Sequence, residues 1–454
     1  MKRKILKALT ITLAALMLFV FVACSPEVIY VADFTGGNGT VIPNPNPNPT
    51  PTPNPTPNPT PNPNPAPVDD GTGDGSTYKL RVWCAEEDED MIHQMLDAYE
   101  LKYKDNNYTF TVEKLGEDVV SAKVIQDVEE AADVFSFAND QLGLLIKNQA
   151  LTQVPTQYTA QIDQQIDVAK LAASYSNSYY AFPYSYENCF LYYNKSLISD
   201  VSSLEKILTS QIKNVDYNLG IDMGDSYYTT MFLYTAGVTI FGEQGNDPLA
   251  VNLDNANAYK ACRYIASLAG QKKLGSISKA DQYASLKNGK VAAMISGPHM
   301  ISQFQDALGT NFAVATLPTI RFAGETKDTP LVSFSGVKMY GVSRKSTAKR
   351  DEKSTAEALK LAAYLSNADN QTIRLEEREF CPTDADLFDA ASNSVETVEV
   401  VVEQSNYSKL KPGLIQMSNY WDNMKGFLLG VYKLSYPEKD WSAELKKVEN
   451  KLKG

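Results

Sequence analysis

Three observations predict an α/β fold in two domains. Lys79-Leu80-Arg81-Val82-Trp83-Cys84 reads as a strand running into the acidic cluster Glu86 to Asp90. Met91, Ile92, Met95, Tyr99 and Tyr103 then recur at three- and four-residue spacing, which puts them on one face of a helix whose acidic first turn complements the helix dipole. Tyr108 to Glu113 alternates like a second strand, and Asp133 to Phe137 is a short apolar run of the kind covered on both faces of a sheet. This β-α-β-α succession implies a largely parallel sheet, whose ligands sit beyond the carboxyl ends of the strands. Residues 77–454 are more than one ordinary domain holds, so two are expected.

The chain ahead of that region reads as an export signal and a stalk. Lys2, Arg3, Lys4 and Lys7 precede Ala8 to Ala23, which is apolar apart from Thr10 and Thr12 and is short for a membrane span. Phe21-Val22-Ala23-Cys24 resembles a bacterial lipoprotein signal, which implies a signal peptide over 1–23 and a lipid on Cys24. From Pro43 to Pro67 every odd position is proline. Proline fixes φ and pushes its predecessor out of the α region, so the tract is confined to extended, polyproline-II-like backbone. At roughly 3.1 Å per residue it reaches on the order of 75 Å. Residues 24–76 are therefore expected to tether an outward-facing module at the membrane through the lipid alone. A freely secreted protein, the alternative, needs no stalk.

Composition removes several classes of function. A formal net charge of −12 argues against nucleic acid and anionic lipid surfaces, both of which call for clustered Lys and Arg. Cys84, Cys189, Cys262 and Cys381 lack the spacing of a zinc site or a disulfide framework and read as core residues, with a Cys84–Cys189 pairing left open. No metal and no cofactor are expected. The only histidines are His93, on the polar side of its helix, and His299, and there is neither an HExxH helix, a nucleophile elbow nor a Walker loop. A glycosidase that works with carboxylates alone stays open as the enzyme alternative.

Six short motifs follow one another in a familiar order. They are Trp83 with its acidic follow-on, Ala132 to Asp140, Phe182 to Glu187, Tyr192 to Lys195, Ile295 to Pro298, and Leu317 to Thr319. Together, from about Tyr78 to the end, they resemble the maltose/maltodextrin-type solute-binding proteins of sugar importers. The resemblance implies a two-lobed, type II-like periplasmic-binding-protein fold, each lobe a mostly parallel sheet flanked by helices, with the ligand in the cleft between them. Lobe one would be 77–185 with 325–388, and lobe two 186–324 with 389–454. It further implies a non-enzymatic, monomeric receptor on the extracellular face of the membrane that captures an oligosaccharide and delivers it to ABC permease subunits. A tethered glycoside hydrolase and a transporter-independent glycan-binding protein are the alternatives.

A sugar presents hydroxyls on its rim and C–H groups on its faces, so its cleft needs carboxylates, amides and flat aromatic side chains. Carried over motif by motif, the resemblance implies a ligand role for Glu86, Glu87 and Asp88 after the first strand, and for Phe137, Asn139 and Asp140 after the short buried one. It implies the same for Glu187 beside the hinge, for Asp225, Tyr227 and Tyr228 at a helix start, for His299 after Gly297-Pro298, and for Trp421. Phe137 and His299 stand where the maltodextrin binders carry tryptophan. An anionic ligand would call for Lys or Arg facing the cleft, and the motif positions supply none.

Overall fold

The computed structural model describes residues 73–117 and 119–453. The signal, Cys24 and the proline tract lie outside the described residues. Strand β1 (Thr77–Cys84) pairs in parallel with β2 (Asn107–Lys114) along its whole length, Thr77 opposite Asn107 and Cys84 opposite Lys114. Between them helix α1 (Glu89–Lys102) buries Met91, Ile92, Met95, Leu96 and Tyr99, the face its spacing predicts. Helix α2 (Val120–Gln126) leads into β3 (Val134–Ala138), buried throughout and parallel to β1.

Strand β4 (Phe182–Asn188) belongs to this first sheet, and β5 (Phe190–Asn194), one residue later, to a second. The second sheet continues with β6 (Tyr217–Ile221), β7 (Leu274–Ser276), β8 (Val291–Ser296) and β9 (Phe312–Ala315), in the order β9-β5-β8-β6-β7. Helix α3 (Ser226–Thr235) follows β6. The chain then returns through β10 (Ser333–Val342), helix α4 (Glu352–Leu365) and β11 (Ser408–Leu410), and closes with α5 (Met417–Tyr432) and a final helix, Trp441–Lys453. The first sheet has the order β11-β10-β3-β1-β2, with β4 also on β10.

The two-sheet α/β architecture expected from the sequence is present. Its parallel parts are β2-β1-β3, β8-β6-β7 and the short β10-β11 pair, while β5 runs antiparallel to β8 and β9, and β10 antiparallel to β3 and β4. All ten residues of β10 are buried: β4 pairs with Ser335–Tyr340 on one edge, β3 and β11 pair on the other, and helices α3 and α4 pack against the strand. The crossings fall at Cys189, at 316–332 and at 411–416.

Cys84, Cys189, Cys262 and Cys381 are all free and buried, so the pairing left open above is not made. Burial pushes the thiols of Cys84, Cys189 and Cys262 up to about 12. A thiolate is the reacting form, so these cysteines are expected to stay unlabelled by maleimide at neutral pH and to react fully in denaturant. Rapid labelling of the native protein would contradict this packing.

Candidate functional site

A cleft of about 500 Å³ opens at the carboxyl end of β3 and is shared by the helices that follow the second sheet. Ala138 and Asp140 line it from the end of β3, Asp225 and Tyr227 from the start of α3, Trp421 and Asp422 from α5, and Lys411 from the third crossing. Asp225 caps α3, accepting the Tyr227 N–H at 2.8 Å, and burial raises its carboxyl above the ordinary range. Tyr227 stacks on Phe334, rings 6.1 Å apart and 16° from parallel. Trp421 meets Phe334 edge-on and donates its indole N–H to Asp140 Oδ2 at 3.2 Å.

Three lining residues, Glu117, Asp140 and Lys411, join Lys338 and Glu187 below them in a cluster of five charges. The Lys338 ammonium sits 3.0 Å from Glu117 and 3.7 Å from Glu187, and that of Lys411 sits 3.3 Å from Asp140 and 3.7 Å from Glu187. Burial alone would raise the Glu187 carboxyl, but the two ammoniums outweigh it and hold it below its ordinary value. For Glu117 burial wins, and its carboxyl is raised. Desolvating so many charges offsets most of their attraction, so such a cluster contributes little to stability and points to a site.

A strand-end cleft with carboxylates and aromatic rings fits a receptor for a small polar solute. A family model described as "Bacterial extracellular solute-binding protein" matches residues 94–397, more than half of the chain. The chain belongs to the bacterial extracellular solute-binding proteins. Among its relatives are the galactooligosaccharide-binding protein of Bacillus subtilis strain 168, 24% identical over 363 residues covering 76% of this chain and 82% of the relative. A maltooligosaccharide ABC transporter solute-binding lipoprotein of Streptococcus pneumoniae strain R6 is 25% identical over 384 residues, 79% of this chain and 84% of its own. Among solved structures, the maltodextrin binding protein of L. casei BL23 superimposes with a TM-score of 0.72 at 24% identity, covering 83% of this chain and 99% of that one. The MalX structure from Streptococcus pneumoniae, solved with maltopentaose, gives 0.70 at 22% identity, with 82% and 99% covered.

In this solute-binding protein Asp140, Asp225, Tyr227 and Trp421 come together in the cleft, and Glu187 lies just below. The other residues implied by the resemblance are placed differently. Glu86 and Glu87 are exposed in the turn after β1 and do not line the cleft, and Asp88 is buried against Arg378 at 2.7 Å. Phe137 is fully buried in the core beside Phe135, and Tyr228 is buried with its hydroxyl 3.5 Å from Ser296 Oγ. Asn139 spends its amide on the backbone, donating to the Lys411 carbonyl at 2.7 Å and accepting from the Val337 N–H at 3.0 Å. His299 stands in the turn Pro298–Met300, where burial, aided by Lys279 and Lys338, holds its imidazole down to about 3 and therefore neutral.

The motif positions supply no Lys or Arg, but Lys411, which lies outside them, lines the cleft. Glu117, Ser121, Gln141 and Asp422 also line it without having been anticipated. Their one sequence trace is indirect: Lys338 is a charge inside an otherwise apolar and small-residue strand. Among the described residues no group of His, Cys, Asp and Glu is arranged to hold a metal ion.

Proposed function

We propose that this solute-binding protein captures a neutral oligosaccharide, a malto-oligosaccharide by default, and delivers it to an ABC importer without making or breaking a bond. The observation that carries the reading is the cleft lining itself: carboxylates Asp140 and Asp225 beside the rings of Tyr227 and Trp421. Carboxylates accept from sugar hydroxyls while aromatic groups cover C–H faces. Four carboxylates, Glu117, Asp140, Asp225 and Asp422, line the cleft against the single ammonium of Lys411, which disfavours an acidic sugar. A galacto-oligosaccharide is the second reading, supported by the name of the Bacillus subtilis relative. Against hydrolysis stands the state of Glu187, held between two ammoniums instead of being poised as an acid.

The lobes in this reading are the two sheets with their helices, divided at the three crossings, which moves 186–188 and 389–410 from the second lobe into the first. Ligand contacts from both sides favour the closed arrangement, and the permeases recognise it. The protein acts as a monomer, held at the outer face of the membrane by a lipid on Cys24. Among the described residues no helix is long and apolar enough to cross a membrane.

A calorimetric and thermal-shift screen over malto- and galacto-oligosaccharides tests the reading. Saturating binding is expected, with about 2.7 kcal/mol of added stability at a hundredfold excess over Kd and no released product. No response to any saccharide would sink the carbohydrate assignment, and product release would favour the hydrolase.

A further inference from the structure

Glu187, Gly336 and Lys411 form a row across three neighbouring strands at the base of the cleft. Gly336 lies opposite Glu187 in the β4–β10 register, and Lys411 follows Leu410, which lies opposite Ser335. A Cβ on Gly336 would come within 2.5 Å of the Lys411 Cε and 2.8 Å of its Nζ. The missing side chain is what lets the lysine lie over the strand and reach the cleft.

We propose that Lys411 is a ligand-contacting, specificity-determining residue whose ammonium donates a hydrogen bond to a ring hydroxyl of the bound sugar while that hydroxyl donates one to Asp140. The proposal rests on the oligosaccharide reading above. Its backbone is fixed on both sides, with the N–H donating to the Ser335 carbonyl at 2.8 Å and the carbonyl accepting from Asn139. An ammonium carries three donors, yet its carboxylate neighbours stand at 3.3 and 3.7 Å, the second beyond hydrogen-bonding reach. Asp140 Oδ1 is the atom at 3.3 Å: the two form an ion pair without hydrogen-bond geometry, and Oδ1 is otherwise buried with no hydrogen-bond partner. An underused donor beside an unpartnered acceptor is completed by a group that accepts and donates at one atom, and a hydroxyl is such a group. A carboxylate could satisfy only the lysine and would face the four lining carboxylates. Lys338 does not serve, because it is committed to Glu117 at 3.0 Å and lies outside the lining. Unlike an exposed lysine, Lys411 is already desolvated and held, so little ordering remains to be done on binding.

The test is a cycle between protein and ligand. Calorimetry of the full chain measures maltotriose and its monodeoxy analogues, or the galactotriose set if the screen selects that sugar, on wild type and Lys411→Met. Lys411→Met is expected to weaken the parent sugar about tenfold or more, and one monodeoxy analogue is expected to lose affinity for wild type while binding the variant no worse than the parent sugar does. Equal weakening of every analogue in both proteins, or unchanged affinity in the variant, would overturn the proposal. Should Lys411→Met fail to fold by circular dichroism, Gly336→Ala decides by the same cycle, since it displaces the ammonium and keeps every charge. Wild type that binds neither sugar series overturns the underlying reading instead.

Discussion

Replacing Trp421 by alanine is expected to weaken the winning oligosaccharide at least tenfold, about 1.4 kcal/mol. The indole is half-buried on α5, wedged edge-on against Phe334 and Tyr420, and joined through its N–H to Asp140. Truncation removes an aromatic surface for the sugar and frees the carboxylate that the indole holds in place. Trp421→Phe separates the two contributions: it keeps a ring and loses the N–H, so it is expected to fall between wild type and Trp421→Ala. Calorimetric affinities within twofold of wild type for Trp421→Ala would remove this residue from the site.

Phe137→Ala is expected to act on stability and not on the ligand. The side chain is fully buried in β3 beside Phe135 and does not line the cleft. Its removal leaves a cavity worth about 3–5 kcal/mol, which lowers the urea midpoint, while affinity measured well inside the native baseline stays close to wild type. A variant of undiminished stability that fails to bind would reverse the assignment and restore Phe137 as a sugar platform.

The strands and helices with strong periodicity were legible in the chain. The buried run of β3, the α1 stripe and the capped start of α3 follow from hydrophobic spacing and local hydrogen bonding. Asp140, Asp225, Tyr227 and Trp421 were named from the resemblance, and all four line the cleft. Phe137 and Tyr228 misled because an aromatic residue has the same signature in a core as on a platform. Asn139 misled differently, since its amide satisfies backbone groups of two distant segments. Lys411 was invisible for a topological reason: its surroundings are set by a register across three strands that are far apart in sequence.

That register also says how the base of the cleft behaves when the lobes swing. The passages at Cys189, 316–332 and 411–416 bundle the connections between sheets into one spine, like the binding of a book. In a rigid rotation displacement grows with distance from the axis, so Glu187, Gly336 and Lys411, each within a few residues of a passage, travel little. The floor is thus a fixed datum, and on the proposal made above a sugar aligned against Lys411 keeps that alignment as the pages close.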